Sequence, residues 1–152
     1  MIPMNILLAY ETYSGGTMSA AEFAEAHLKE KGHTVTLLQI HKSTPTDYPN
    51  YDVVIMATPS WLERGEEGQP HINVLRFMDQ LNGSSLQGKF AFFGLGDSTY
   101  AHYGKGVETL QSFIETKGGT IISPLLKIDS FLFEQKKGKE ELTTWLESLP
   151  LS

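Results

Sequence analysis

Apolar residues come in two rhythms along this chain, and the two alternate. Ile6-Leu7-Leu8-Ala9-Tyr10 is a short continuous apolar run, which predicts a buried strand. From Met18 to Lys31 the apolar positions Ala20, Phe23, Ala24, Ala26 and Leu28 recur at helical spacing, and Gly32 stands as a C-cap after Lys29 and Lys31. Thr34 to Ile40, rich in β-branched and apolar residues, predicts strand two; His41 to Asp52, polar and carrying Pro45 and Pro49, predicts a loop. Val53-Val54-Ile55-Met56-Ala57 has the continuous apolar character of a central parallel strand covered on both faces. Thr58 to Pro70 reads as a loop, Ile72 to Leu81 as a helix closed by Asn82-Gly83, and Phe90-Ala91-Phe92-Phe93 as strand four. Val107, Leu110, Phe113 and Ile114 mark the next helix, ending at Gly118-Gly119. Thr120 to Ile128 reads as an uninterrupted fifth strand, and Leu142, Trp145, Leu146 and Leu149 at i, i+3, i+4, i+7 as a final amphipathic helix.

Strands alternating with helices imply a parallel sheet with right-handed crossovers. The expected class is therefore α/β, a doubly wound five-stranded parallel sheet with helices on both faces. In such a sheet the ligand lies beyond the carboxyl ends of the strands, where strand order reverses. The loops after strands one, three and four become the places to look for chemistry.

Composition narrows the choice. A length of 152 residues suits one domain spanning 1–152, and 40% hydrophobic with 20% charged residues is a globular balance. No apolar run of membrane-spanning length and no basic-then-apolar leader is present, so neither a membrane span nor a targeting segment is expected. The absence of cysteine removes disulfides, thiolate metal sites and a cysteine nucleophile, and is compatible with the cytoplasm. A net charge of -6 argues against a nucleic-acid partner and for basic ones. The five histidines have no metal-site spacing.

The loop after strand one is Thr12-Tyr13-Ser14-Gly15-Gly16-Thr17. It sets three hydroxyls and several backbone N–H groups at a helix N-terminus, a place that favours an anion. No Lys or Arg lies within it, so neutral donors would do the binding. Ordinary turn and cap chemistry explains such a string about as well when it is taken alone. The loop after strand three holds Thr58-Pro59-Ser60-Trp61-Leu62-Glu63; Trp61 there either packs on the domain's own surface or is covered by a ligand. The loop after strand four holds Gly96-Asp97-Ser98-Thr99-Tyr100-Ala101-His102-Tyr103, where Asp97 serves equally as a turn residue and the tyrosines as core-edge aromatics. Singly, each plain reading is the better one. Together, a phosphate-holding turn and two aromatic-bearing loops at one end of a sheet make a slot for a flat ring with a phosphate tail.

These loops resemble those of the flavodoxins, small electron-transfer proteins that bind flavin mononucleotide (FMN). Thr12 to Thr17 is similar to the family's phosphate loop, Gly94-Leu95-Gly96-Asp97-Ser98-Thr99-Tyr100 to its second flavin loop, and Trp61 to the aromatic of its first flavin loop. The resemblance extends to Leu126-Lys127-Ile128-Asp129 and the terminal helix, and the uninterrupted fifth strand resembles the short-chain branch. It implies that Thr12, Ser14 and Thr17 bind the phosphate through their hydroxyls, with backbone N–H groups from Tyr13 through Gly15 and Gly16 to Thr17 completing a nest. It implies Tyr100 stacked on the outer face of the flavin and Trp61 on the inner. Thr58, Pro59, Ser60, Leu62, Leu95, Gly96, Asp97 and Tyr103 would line the ring and ribityl chain.

Leu62 departs from the family pattern, where glycine commonly follows the aromatic and lets its peptide turn over to meet reduced flavin. A branched side chain tolerates that flip less readily, so a less stabilised semiquinone is expected. The stretch Glu63 to Pro70 and the bulky Tyr13 are also unusual.

By resemblance the function is a low-potential one-electron carrier using the semiquinone/hydroquinone couple of non-covalently bound FMN. Its partners would be redox proteins such as a NAD(P)H-dependent reductase and an electron-accepting enzyme, met by a cytoplasmic monomer. A carboxylate ~10 Å from an anionic reduced flavin costs about 1.7 kcal/mol at an effective dielectric near 20, roughly 70 mV. Asp97 and Glu63 outweigh the nearby Arg64 on that basis. The alternative is an FMN-dependent NAD(P)H:quinone or nitro reductase on the same fold, which needs room for a second substrate. Other doubly wound classes lack their marks: no paired acids or acceptor Asp for a phosphoacceptor receiver, no Gly-Lys-Ser/Thr for a P-loop, no Gly-x-Ser-x-Gly elbow.

Overall fold

The apolar run 53–57 becomes the middle of the sheet. In the computed structural model, which describes residues 2–151, it lies within β3 (Val53–Pro59), flanked on both sides by parallel partners. On one side is β1 (Asn5–Tyr10), with Leu8 opposite Ile55; on the other is β6 (Lys89–Gly96), with Ala57 opposite Phe93. Beyond β1 lies β2 (Thr34–Gln39). Beyond β6 lie β7 (Thr120–Ile121) and β8 (Leu126–Asp129), giving the order β2-β1-β3-β6-β7 with β8 also on β6. Met1 and Ser152, the ends of the expected 1–152 domain, lie outside the described residues.

Both faces of the sheet are covered, so the middles of its central strands are continuously apolar. Ile6, Leu8, Ile55 and Phe93 face α1 (Gly16–Glu30) and α4 (Gln135–Ser148), where Ala20, Ala24, Leu142 and Trp145 complete one core. Leu7, Ala9, Val54, Met56 and Phe92 face the other way, toward α2 (Ile72–Gln80) and α3 (Lys105–Thr116), with Val74, Phe77, Val107 and Leu110. This is the doubly wound α/β arrangement expected from the sequence. Order reverses between β1 and β3, which places the ligand end of the fold beside the loops that follow those strands.

Three expectations need correction. The 58–70 loop is partly a β-hairpin: β4 (Trp61–Glu63) and β5 (Glu66–Gln69) pair antiparallel, with Trp61 opposite Gln69. The two linking residues, Arg64 and Gly65, have φ of 51° and 77°, the mirror-image turn that matches strand twist. Arg-Gly is a weaker sequence signal for that turn than Asn-Gly, and the flanking strands are too polar to stand out. The fifth strand, expected to run uninterrupted, is broken at 122–125. Phe90 pairs Ile121 and Phe93 pairs Leu126, so the edge strand carries two more residues than β6 over the same span. Pro124 sits in the bulge, where it has no N–H to donate, and its carbonyl accepts from the Trp145 indole at 2.9 Å. The 41–52 loop contains two short 3-10 turns, Ile40–Lys42 and Pro45–Asn50, pinned by the fully buried Tyr48.

Candidate functional site: a cleft at the switch point

Where β1, β3 and β6 end, their loops enclose a cleft of about 690 Å³. Of the residues expected to bind, Thr12, Tyr13, Ser14, Gly16, Thr17, Pro59, Ser60, Trp61, Leu62, Leu95, Gly96, Asp97, Tyr100 and Tyr103 line it. Gly15 and Thr58 do not. Thr58 is fully buried, its hydroxyl accepting from the His71 N–H at 3.0 Å and donating to the Pro59 carbonyl.

The first wall is the turn before α1. Gly15 takes φ +93°, a left-handed conformation that ends the extended chain and starts the helix. Its N–H donates to the Thr12 hydroxyl at 2.9 Å, which orients Thr12 into the turn. No side chain caps α1, so the N–H groups of its first turn are left for an external acceptor. Among the described residues, no Lys or Arg lines the cleft. The donor set is thus hydroxyls and backbone N–H groups at the positive end of a helix dipole, which fits a phosphate ester held by neutral donors.

The second wall is the hairpin, with Trp61 55% exposed; the third is the 96–103 loop, with Tyr100 66% exposed. Two large rings left this open beside one cleft are surfaces awaiting a cover. The carboxylate of Asp97 is turned back on its own loop, accepting from the Thr99 N–H and hydroxyl at 2.9 and 2.7 Å. Asp129, at the end of β8, accepts from the Ser98 N–H at 2.9 Å and the Ser98 hydroxyl at 2.5 Å. Those bonds hold the Asp129 carboxyl below its ordinary pKa and fasten the Tyr100 loop to the sheet edge. Tyr103, pushed up to about 12 chiefly by burial, stays a neutral phenol.

Sequence reasoning missed what joins these walls. The Tyr13 hydroxyl accepts from the Ile72 N–H at 2.7 Å and donates to Glu63, so this side chain ties the turn to the hairpin and to α2. Its pKa is raised to about 12, first by burial and then by the Glu63 bond. His71 caps α2: its Nδ1 accepts from the Asn73 N–H at 3.0 Å while its Nε2 donates to the Thr12 carbonyl at 3.1 Å. That pair of partners demands the neutral ring, and burial lowers its pKa accordingly. Histidine is an uncommon N-cap, so nothing in Pro70-His71-Ile72 flagged the role. Behind them, the buried Glu11 carboxylate accepts from the His41 N–H at 2.9 Å.

Leu62 sits within β4 at 59% exposure, and the positive-φ positions of the hairpin are Arg64 and Gly65, two and three residues later. Ser60 accepts the Gly106 N–H of α3 at 2.8 Å, which fixes the start of the hairpin.

A sequence model of the flavodoxin family matches residues 8–142. The flavodoxin of Maridesulfovibrio salexigens is 28% identical over 141 residues, covering 91% of this chain and 92% of that protein. The protein named probable flavodoxin 2 of Bacillus subtilis is 32% identical over 142 residues, covering 90% and 86%. Among solved structures, oxidised flavodoxin 2 from Bacillus cereus superposes with a TM-score of 0.82 at 26% identity, covering 94% of this chain and 95% of that one. A Fusobacterium nucleatum flavodoxin bound to flavin mononucleotide shares the fold, with a TM-score of 0.71 at 16% identity over 95% of each chain. Family match, relatives and cleft agree: the chain belongs to the flavodoxin family, whose members carry electrons on FMN and are not enzymes.

Proposed function

We propose that this protein is a low-potential one-electron carrier that holds FMN non-covalently in the cleft between Trp61 and Tyr100. The observation that carries this reading is the donor set: an uncapped helix start with three hydroxyls and no cation, opening on the same cleft as two uncovered aromatic rings. Bound there, FMN supplies reversible uptake and release of one electron at a time. Thr12, Ser14 and Thr17, with the N–H groups of Gly16 and Thr17, hold the phosphate. Trp61 and Tyr100 cover the ring, exclude water from its faces, and leave an edge for partners. Pro59, Ser60, Leu95, Gly96 and Tyr103 complete the lining. Tyr13 and His71 keep the turn and the hairpin in register, and no residue need act as acid, base or nucleophile.

Carboxylates set the potential. Glu67 and Asp97 line the cleft and Glu63 accepts from the Tyr13 hydroxyl beside it; a hydrogen bond does not cancel a carboxylate's charge, so all three disfavour a negative charge on the ring. The partners are redox proteins; a NAD(P)H-dependent reductase on one side and an electron-accepting enzyme on the other, met by a cytoplasmic, single-domain monomer, fit a chain of net charge -6 that docks basic faces. A reductase acting on a second substrate needs one ring face open, and covering both leaves none. Steady-state NADPH oxidation by the flavin-loaded protein tests this: no turnover with quinone or nitro acceptors is expected, and sustained turnover would overturn the carrier reading.

A further inference from the structure

The turn after β8 adds a fourth wall to the cleft, outside the three loops that the sequence pointed to. Ser130, Phe131, Leu132 and Phe133 all line it. The path of this turn is tightly determined. Ser130 holds φ +50°, its N–H donates to the Gly96 carbonyl at 2.8 Å, and its carbonyl accepts from Phe133 and Glu134 at 3.0 and 2.9 Å. Phe131 is buried to 2% exposure against Gly138 of α4, where a Cβ would come within 2.6 Å of its ring. With Phe131 fixed inward, Leu132 is thrown the other way, onto the first turn of α1. Its Cγ and Cδ1 lie 3.4 and 3.5 Å from where a Cβ on Gly16 would stand, and Leu95 Cδ2 borders the same point at 3.4 Å. Leu132, from a different part of the chain, thus stands over Gly16 at van der Waals range of its Cα face.

We propose that Leu132 is an apolar lid on the phosphate turn and sets the protein's preference for the phosphorylated over the dephosphorylated flavin. The proposal rests on the FMN reading above. Its physical basis is that the described residues of the lining include no Lys or Arg. Neutral N–H and O–H donors compete poorly with water for a phosphate unless water is kept off them, and a nearby low-dielectric side chain strengthens each bond. Leu132 covers only the Gly16 side, and Ser14 on the other side stays exposed, so phosphate oxygens without a protein donor still reach water. At 44% exposure Leu132 is itself only half used, and a ligand in the turn would complete its burial.

Affinities of the apoprotein for FMN and for riboflavin, read by quenching of flavin fluorescence, test the lid. In Leu132→Ala, FMN affinity should fall about tenfold or more while riboflavin affinity changes by less than about threefold. Leu132→Met, which keeps apolar volume, should preserve the wild-type ratio, and thermal unfolding of both apoproteins reports that the fold is intact. Equal losses for the two ligands, or an unchanged ratio, would overturn the lid while leaving the FMN reading standing. A wild-type protein that binds neither flavin would overturn both. If riboflavin binding is too weak to read, the rise in apoprotein Tm with inorganic phosphate takes its place: it should shrink in Leu132→Ala, and an undiminished rise counts against the lid.

Discussion

The phenol ring of Tyr13 lies flat on the imidazole of His71, centroids 3.8 Å apart and planes 20° from parallel. One ring belongs to the turn before α1 and the other caps α2, so the contact joins two elements 58 positions apart in sequence. The same phenol lies 5.6 Å from Trp61, tilted by 49°, and bonds Glu63 and Ile72. A residue that looked too bulky for a phosphate loop is the peg on which that end of the fold is assembled.

Tyr13→Phe keeps the stacking and removes the hydroxyl, leaving the Ile72 N–H and Glu63 without their partner. A loss of about 1–3 kcal/mol in apoprotein stability is expected, the ordinary range for two such bonds, with larger changes in tryptophan fluorescence than in far-UV circular dichroism. Urea unfolding with both probes measures it. Unchanged stability and emission would show that the peg carries no load.

His71 makes the stability depend on pH, and the sign follows from its partners. Its folded-state pKa lies below the ordinary 6.5, so the unfolded chain takes up the proton first. Its contribution is complete above about pH 6.5 and is lost as pH falls through the lowered folded value. His33, buried with its Nδ1 accepting from the Met4 N–H at 3.0 Å, is shifted the same way by burial and adds to the slope. Unfolding free energies from pH 7.5 down to 5 should fall, and fall less steeply in His71→Gln. A slope that the substitution leaves untouched would remove His71 from the account.

Gly106, near the start of α3, admits the hairpin at close quarters. A Cβ there would stand 2.8 Å from the Pro59 carbonyl oxygen, 2.9 Å from Ser60 Oγ and 3.0 Å from Pro70 Cα. Gly106→Ala should cost about 1–3 kcal/mol by overpacking and weaken FMN binding through displacement of Trp61. Denaturant unfolding and flavin titration read the two effects, and a neutral substitution would mean that the hairpin yields freely.

Trp61→Ala and Tyr100→Ala each uncover one side of the ring. By analogy with nucleobase stacking, each should cost about 1–3 kcal/mol of FMN affinity. Asp97→Asn with Glu67→Gln should instead leave affinity nearly constant and raise the reduction potential by tens of millivolts, less than the roughly 70 mV per charge that an unscreened carboxylate at ~10 Å would give. Spectroelectrochemistry of the loaded variants separates stacking from charge; a potential that ignores both carboxylates would end the electrostatic account.

The fold was legible because both faces of the sheet are covered. The three apolar runs at 6–10, 53–57 and 90–93 marked the central parallel strands, and the turn, tryptophan and tyrosine loops followed from where those runs stop. What stayed hidden depends on contacts between distant segments. The hairpin's pairing involves the polar residues Glu63, Glu66 and Gln69, which carry no hydrophobic alternation. The Pro124 bulge is visible only against the register of β6, and His71, donating to the Thr12 carbonyl, and Asp129, accepting from Ser98, reach loops that the sequence does not place beside them. Leu132 was unreadable for the same reason, since its neighbour Gly16 lies at the opposite end of the chain.

The claim beneath all of this is that neutral donors and two aromatic rings suffice to seize FMN. Titration of the apoprotein with FMN, followed by flavin fluorescence, tests it most directly. The account predicts quenching that breaks at one FMN per chain, with inorganic phosphate slowing the uptake by occupying the turn at Thr12 to Thr17. Flavin fluorescence that stays at its free value throughout, with Trp61 emission unmoved, would contradict it.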